Sequence, residues 1–316
     1  MVTQKNFAAE LQKERIAKLK NELNAVIVAH NYQRPEVQDI ADFTGDSLEL
    51  ARICVGTKAE AIVFCGVRFM AETAAILNPS STVLLSHWEA GCPLADMIDV
   101  EGLKQWKRKY PEAAVVAYVN TTVEVKAESD ICCTSANGAE VVNAVPNEEI
   151  LFIPDQNLGH YVSTKTDKKI ILYPGFCDTH ARITAEQVEL AKRRYPKARV
   201  LVHPECRPEV INLADAALST SQMLHYAKQS NEEIFLIGTE EGMLYPLRKQ
   251  NPNKEFHLIS DDFICPDMKK TTLETVIETM EKRRSPERSE GTNVVTVPEE
   301  IRIKAKQAID KMLAIT

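Results

Sequence analysis

Three short runs decide the fold: AVIVAH at 25–30, AVVAY at 114–118 and RVLVH at 199–203. Each is a continuous aliphatic stretch rather than an apolar–polar alternation, as expected of a strand buried on both faces of a parallel sheet. Two further runs of the same kind follow each one: AIVFC at 61–65 and TVLLS at 82–86, EILFI at 149–153 and KIILY at 169–173, EIFLIG at 233–238 and EFHLIS at 255–260. A shorter strand is expected between the first two of each set, at Phe43-Thr44, at 131–133 and at Ala217-Leu218. Spacing near 3.6 marks helices over 48–57, 68–77, 100–110, 185–195 and 221–228. Alternating β and α elements imply parallel strands joined by right-handed crossovers.

The three sets are in register. His30 to Ser47, Tyr118 to Ser135 and His203 to Thr220 each span 17 residues, and the cysteines that close the sets, Cys92, Cys177 and Cys265, lie 85 and 88 residues apart. Matched anchors along one chain point to triplication. The expected architecture is α/β: three homologous αβα domains with parallel sheets, in pseudo-threefold arrangement around a central active site. Their bounds are 1–92 with 266–316, then 93–177, then 178–265. Helical patterns at 270–282 and 299–314 are expected to return over the first repeat together with the N-terminal helix. The polar, charged stretch 282–293 reads as an exposed loop.

Composition narrows the class. A chain of 316 residues with 44% hydrophobic residues can bury a sizeable core, and a formal charge of −7 argues against a general nucleic-acid binder. The charged N-terminus has no signal-peptide apolar region, and no run approaches the ~18 apolar residues of a membrane span. A cytoplasmic protein without membrane attachment is expected. Thiols stay reduced there, so the eight cysteines are not a disulfide framework. Cys54 and Cys65 read as small buried hydrophobes, while Cys132, Cys133 and Cys206 lie near candidate site residues.

Functional loops of parallel sheets gather at the carboxyl ends of the strands, and all the matched anchors lie there. Cys92, Cys177 and Cys265 each follow a strand in a Gly- or Pro-containing turn, and thiolates suit zinc or iron–sulfur clusters. No CxxC pair is present, and three separate cysteines would leave one metal position open to a substrate oxygen. Three buried structural cysteines are the plainer alternative. The hydroxyls Ser47, Ser135, Ser219 and Thr220 sit where strands turn into helices, which suits either helix capping or the binding of carboxylate and phosphate groups. The first strands end on His30, Asn31 and Tyr32, on Tyr118 and Asn120, and on His203 and Glu205, groups able to hydrogen-bond or shuttle protons. His180, three residues after Cys177, is a further candidate. No GxGxxG or GxxxxGK[ST] motif is present, so a nucleotide-binding Rossmann domain is not expected.

The segments VAHNYQ, DFTGDSLELA, HWEAGCPLADM, YVNTT, CCTSANG, PDQNLG, YPGFCDTH, HPEC, STSQM, GTEEGM and ICPDMKKTTLE together resemble the quinolinate synthases, from about residue 20 to 282 and again from 294 to 314. The resemblance implies three domains with pseudo-threefold symmetry and a [4Fe–4S] cluster on Cys92, Cys177 and Cys265. It implies condensation of iminoaspartate with dihydroxyacetone phosphate to quinolinate, phosphate and water in NAD synthesis from aspartate. It assigns substrate contacts to His30, Ser47, Tyr118, Asn120, Ser135, His203, Glu205 and Thr220, with Ser219 as a weaker one, and proton transfer to Tyr32, Glu205 and His203. An enzyme that oxidises aspartate is a candidate transient partner, since it would supply the imine. The 282–293 stretch departs from the family's usual connection. A cluster-dependent hydro-lyase acting on another di- or tricarboxylate, and a non-catalytic binder of small anions, are the alternatives.

Overall fold

The computed structural model describes residues 2–284 and 293–315, so most of the 282–293 stretch lies outside the described residues. Twelve strands are present among them: β1 (Ala25–His30), β2 (Phe43–Gly45), β3 (Ala61–Cys65), β4 (Thr82–Leu85), β5 (Ala114–Tyr118), β6 (Ile131–Cys133), β7 (Glu149–Ile153), β8 (Lys169–Leu172), β9 (Arg199–Val202), β10 (Ala216–Ala217), β11 (Ile234–Gly238) and β12 (Glu255–Leu258). They form three four-stranded sheets in one order, β2-β1-β3-β4, β6-β5-β7-β8 and β10-β9-β11-β12. Every pairing within them is parallel. The molecule is therefore α/β, built from three αβα layers as the sequence implied.

A side chain sets the register of each edge strand. The Asp42 carboxylate accepts the Ile27 N–H at 2.9 Å, Asp130 accepts that of Val115 at 2.8 Å and Asp215 that of Val200 at 2.7 Å. Each aspartate also donates its own N–H to the carbonyl of that same strand residue. The pair of bonds pins the crossover at the residue just ahead of the short second strand, and it recurs in all three repeats.

The chain divides into two compact units. One comprises Met1–Cys92 and Pro266–Pro298 and holds the first sheet. Its core joins Ile27, Ala29, Val63 and Leu84 of the sheet to Ile16 and Leu19 of the helix Val2–Glu22, and to Val276 and Met280 of the helix Leu273–Arg284. The other comprises Pro93–Cys265 and Glu299–Thr316 and holds the second and third sheets. There Val188, Val200, Val202, Leu236 and Phe263 form the core of the third sheet.

The closing helix corrects one expectation. Helix Glu299–Leu313 does not return to the first repeat; it packs on the helix Val123–Ala127 and on β6, in the second. Its buried stripe, Ala305, Ala308, Ile309 and Met312, has helical 3–4 spacing, and Lys311 donates to the Asp130 carbonyl at 2.8 Å. The physical reason is that β6 is fully buried while Val123–Ala127, five residues long, is too short to cover it. No described helix is long and apolar enough to cross a membrane.

Removal of one pinning carboxylate should be felt locally. Asp130→Ala is expected to lower stability by about 2 kcal/mol, the scale of a charge-assisted hydrogen bond, read as a lower urea midpoint with little change in slope.

Candidate active site

The eight cysteines fall into two groups. Cys54, Cys65, Cys132, Cys133 and Cys206 are fully buried. Burial pushes the thiols of Cys54, Cys65 and Cys132 up to about 12, and those of Cys133 and Cys206 up as well. They are small core residues, including the three whose place near the site left them open. Cys92, Cys177 and Cys265 are half-buried instead, and each lies in the turn that follows the fourth strand of its sheet. Gly175 in the Cys177 turn is needed for a close approach, since a Cβ there would stand 2.5 Å from the Pro154 carbonyl oxygen. The crowding comes from the neighbouring loop of the protein.

Polar groups from the second and third repeats converge beside Cys177. The Ser135 hydroxyl lies 3.2 Å from His203 Nε2, and His203 Nδ1 lies 3.3 Å from Glu205 Oε2. His180 Nδ1 is 2.8 Å from that same oxygen and 3.2 Å from Cys177 Sγ. Its Nε2 is 2.9 Å from the Thr239 hydroxyl, and the two imidazoles stack with centroids 4.7 Å apart. Asn157 donates to the Glu205 carbonyl at 3.3 Å. The chain Ser135–His203–Glu205–His180–Cys177 thus links two ends, Ser135 and Cys177, that lie 42 positions apart in sequence.

Glu205 is 3% exposed. Burial works to raise its carboxyl, yet His203 and His180 overcome that and hold it well below the usual carboxylate range. Asp155, also buried, goes the other way: burial and the Glu205 charge push it up, against three backbone N–H groups that pull it down. Glu205 Oε1 is buried with no hydrogen-bond partner among the described residues, as is Asn120 Oδ1. Sγ of Cys177, a ring nitrogen of His180 and a carboxylate oxygen of Glu205 lie within 4.8 Å of one another, a set able to hold a metal.

The hydroxyls separate into two roles. Asp46 and Ser219 cap the helices Ser47–Gly56 and Thr220–Gln229, each in a reciprocal box with the third helical residue. Ser47 and Thr220 are first helical residues, so the capping belongs to their neighbours. In the second repeat the helix starts only at Gly138, and Ser135 points to His203 instead. Ser219 is engaged as a cap. Tyr118 is buried at the end of β5.

The first repeat carries His30, Tyr32, Ser47 and Cys92. The Tyr32 N–H donates to His30 Nδ1 at 3.1 Å, just as the Glu205 N–H donates to His203 Nδ1 at 3.3 Å, so 30/32 and 203/205 are equivalent pairs. The Tyr32 ring stands edge-on to His30 at 4.5 Å, and the Tyr32 carbonyl accepts Lys269 Nζ at 2.7 Å. The partners of His180, and the roles of Thr239, Asp155 and Glu240, were not anticipated from sequence. The two acids could have been found, since both lie two residues past the third strand of their repeat.

The family model described as quinolinate synthetase A protein (NadA) matches residues 14–314. The chain belongs to this family. Quinolinate synthase of Dehalococcoides mccartyi is 54% identical over 307 residues, covering 97% of this chain and 99% of that protein. That of Thermodesulfovibrio yellowstonii is 53% identical over 303 residues, covering 96% and 97% respectively. Quinolinate synthase 1 of Methanosarcina acetivorans is 52% identical over 302 residues, with the same coverage of 96% and 97%. Members of the quinolinate synthase family are enzymes, and the segments quoted from this sequence all lie inside the matched region.

The division of the cysteines is open to a direct check. In metal-free native protein, a thiol reagent at neutral pH should modify Cys92, Cys177 and Cys265 rapidly. The five buried thiols should react only after denaturation, with peptide mass mapping to identify the sites.

Proposed function

We propose that the protein condenses iminoaspartate with dihydroxyacetone phosphate to quinolinate, with release of phosphate and water, as a step of NAD synthesis from aspartate. The family match over residues 14–314 carries this reading. The reading assigns a [4Fe–4S] cluster to Cys92, Cys177 and Cys265.

The residues suit such a group. Three cysteines at one equivalent position remain partly accessible, and the other five are sealed in cores. The partnerless Glu205 Oε1 is a second indication, because an unsatisfied buried acceptor costs about 1–3 kcal/mol and marks a place where a ligand belongs. When bound on three thiolates, the cluster supplies an iron able to act as a Lewis acid toward a substrate oxygen.

The protein's own groups supply the rest. Joining an imine to a ketone phosphate and closing a ring requires a proton to leave carbon and protons to reach departing oxygens. Glu205, kept ionised by His203 and His180, can steady a protonated imidazole, from which a proton can pass to the substrate. His203 can pass it on, with Ser135 holding its Nε2, and Tyr32 is the candidate donor from the first repeat. His30, Ser47, Tyr118, Asn120, Ser135 and Thr220 would bind the substrate carboxylates and phosphate, with Ser219 mainly shaping the helix end that carries Thr220. A cytosolic, reducing setting keeps the thiols available, and the short-lived imine favours transient contact with an aspartate-oxidising enzyme.

Anaerobically purified protein should contain about four irons per chain and convert the two substrates to quinolinate, identified by mass spectrometry. Cys92→Ala, Cys177→Ala and Cys265→Ala should each lose the cluster, and full iron in all three would sink the assignment. Glu205→Gln and Tyr32→Phe should keep the cluster and lower turnover by about 100-fold or more. Loss of iron in either would point to a structural role.

A further inference from the structure

Each cysteine turn is tied to the loop that follows the third strand of its sheet. The Gln156 N–H donates to the Gly175 carbonyl, the Glu241 N–H to the Phe263 carbonyl and the Arg68 N–H to the Ala90 carbonyl, all at 2.8 Å. In every case the acceptor lies two residues before the cysteine. The backbone clasp is thus common to all three repeats.

A second tie, from the side chain two residues past the third strand, is seen in the second and third repeats. Asp155 Oδ2 accepts the Cys177 N–H at 3.2 Å, while its Oδ1 accepts the N–H groups of Asn157 at 2.8 Å and Leu158 at 3.0 Å. Glu240 Oε1 accepts the Cys265 N–H at 3.2 Å, while its Oε2 accepts the Gly242 N–H at 2.8 Å. Both carboxyl side chains are fully buried. The equivalent residue of the first repeat is Val67, whose side chain has no acceptor. There the tie falls one residue earlier, from the Gly91 N–H to Asp267 Oδ1 at 3.3 Å.

Two side chains of different length, one starting an α-helix and the other a 3-10 turn, reach the same cysteine N–H. Capping alone does not require this, since the helix over 100–109 is capped by Asp99 with no link to a cysteine. Nor is burying a carboxyl group free, as it costs several kcal/mol before hydrogen bonds offset it. A bond recurring at that cost, aimed each time at the cysteine, points to the cysteine turn as its purpose.

We propose that Asp155 and Glu240 are positioning residues that fix the backbone of Cys177 and Cys265, and with it the direction of each Sγ, so that these turns are set for the metal group before it arrives. The proposal rests on the reading that the three cysteines hold the cluster.

Asp155→Asn and Glu240→Gln separate the two jobs of each side chain. The amide oxygen can still cap the following helix or turn, but the amide N–H₂ opposes the cysteine N–H. In anaerobically prepared holoenzyme, each variant should release iron to a chelator about tenfold faster than the unsubstituted protein, followed as loss of visible absorbance. Metal-free melting temperatures should stay close to that of Asp99→Asn, which removes carboxylate character from a cap that accepts a glycine N–H rather than a cysteine N–H and should release iron at the unsubstituted rate. Asp155→Glu, which keeps a carboxylate, should recover part of the slow release. Unchanged release in both amide variants would overturn the proposal, and so would a metal-free melting loss matching the faster release. Cys177→Ala, run alongside, distinguishes the two levels. Full iron in that variant would remove the underlying ligand reading. Iron lost there, with unchanged release from the amide variants, would remove only the positioning role.

Discussion

In each repeat a single aspartate ties the first strand to the crossover that leaves it, as acceptor of one strand N–H and donor to the carbonyl of the same residue. Much depends on this pair of bonds. It fixes how far along the first strand the short second strand pairs, and hence where that first strand ends. His30, Tyr118 and His203 lie at that end, as do the helix starts carrying Ser47 and Thr220. Because parallel strands all run one way, loops after the first, third and fourth strands of a sheet emerge on one edge. That geometry gathers chemistry from distant stretches of chain without further devices.

The polar cluster of the second and third repeats works by opposing burial with paired charge. Glu205 is nearly sealed from water, which alone would favour its neutral form. Two imidazoles on one carboxylate oxygen reverse that preference, and the second oxygen has no partner among the described residues. His180 is itself held from behind by Thr239, so its Nδ1 faces Glu205 and Cys177 in a fixed orientation. An ionised, oriented carboxylate with one open acceptor, beside a half-buried thiol, suits proton transfer next to a metal far better than it suits a stable core.

Departures from perfect repetition are as informative as the repetition. The buried carboxylates behind Cys177 and Cys265 are replaced by Val67 in the first repeat. The matched histidine–residue pairs carry Tyr32 in one repeat and Glu205 in another, so equivalent backbone positions present different proton chemistry. A triplicated scaffold thereby serves an asymmetric reaction, with a backbone that is the same three times and side chains that are not.

The sequence by itself determined the α/β class, eleven of the strand positions closely and the short β10 to within a residue, and the equivalence of the three cysteines. Continuous β-branched runs and fixed spacings are local properties that survive without knowledge of packing. It also carried the family through long ordered motifs. The destination of the helix Glu299–Leu313 was not legible, because its apolar stripe would suit any exposed sheet face and only the short cover over β6 selects one. Likewise, whether a given serine caps a helix or faces a histidine depends on where that helix begins, which moved the capping to Asp46 and Ser219 and turned Ser135 toward His203. Tertiary structure alone joined His180 to Glu205 and placed Asp155 and Glu240 behind their cysteines, since these bonds link residues 22 to 25 positions apart through the end of a sheet. No periodicity in the chain encodes such contacts; they exist only once parallel strands bring their loops to one edge.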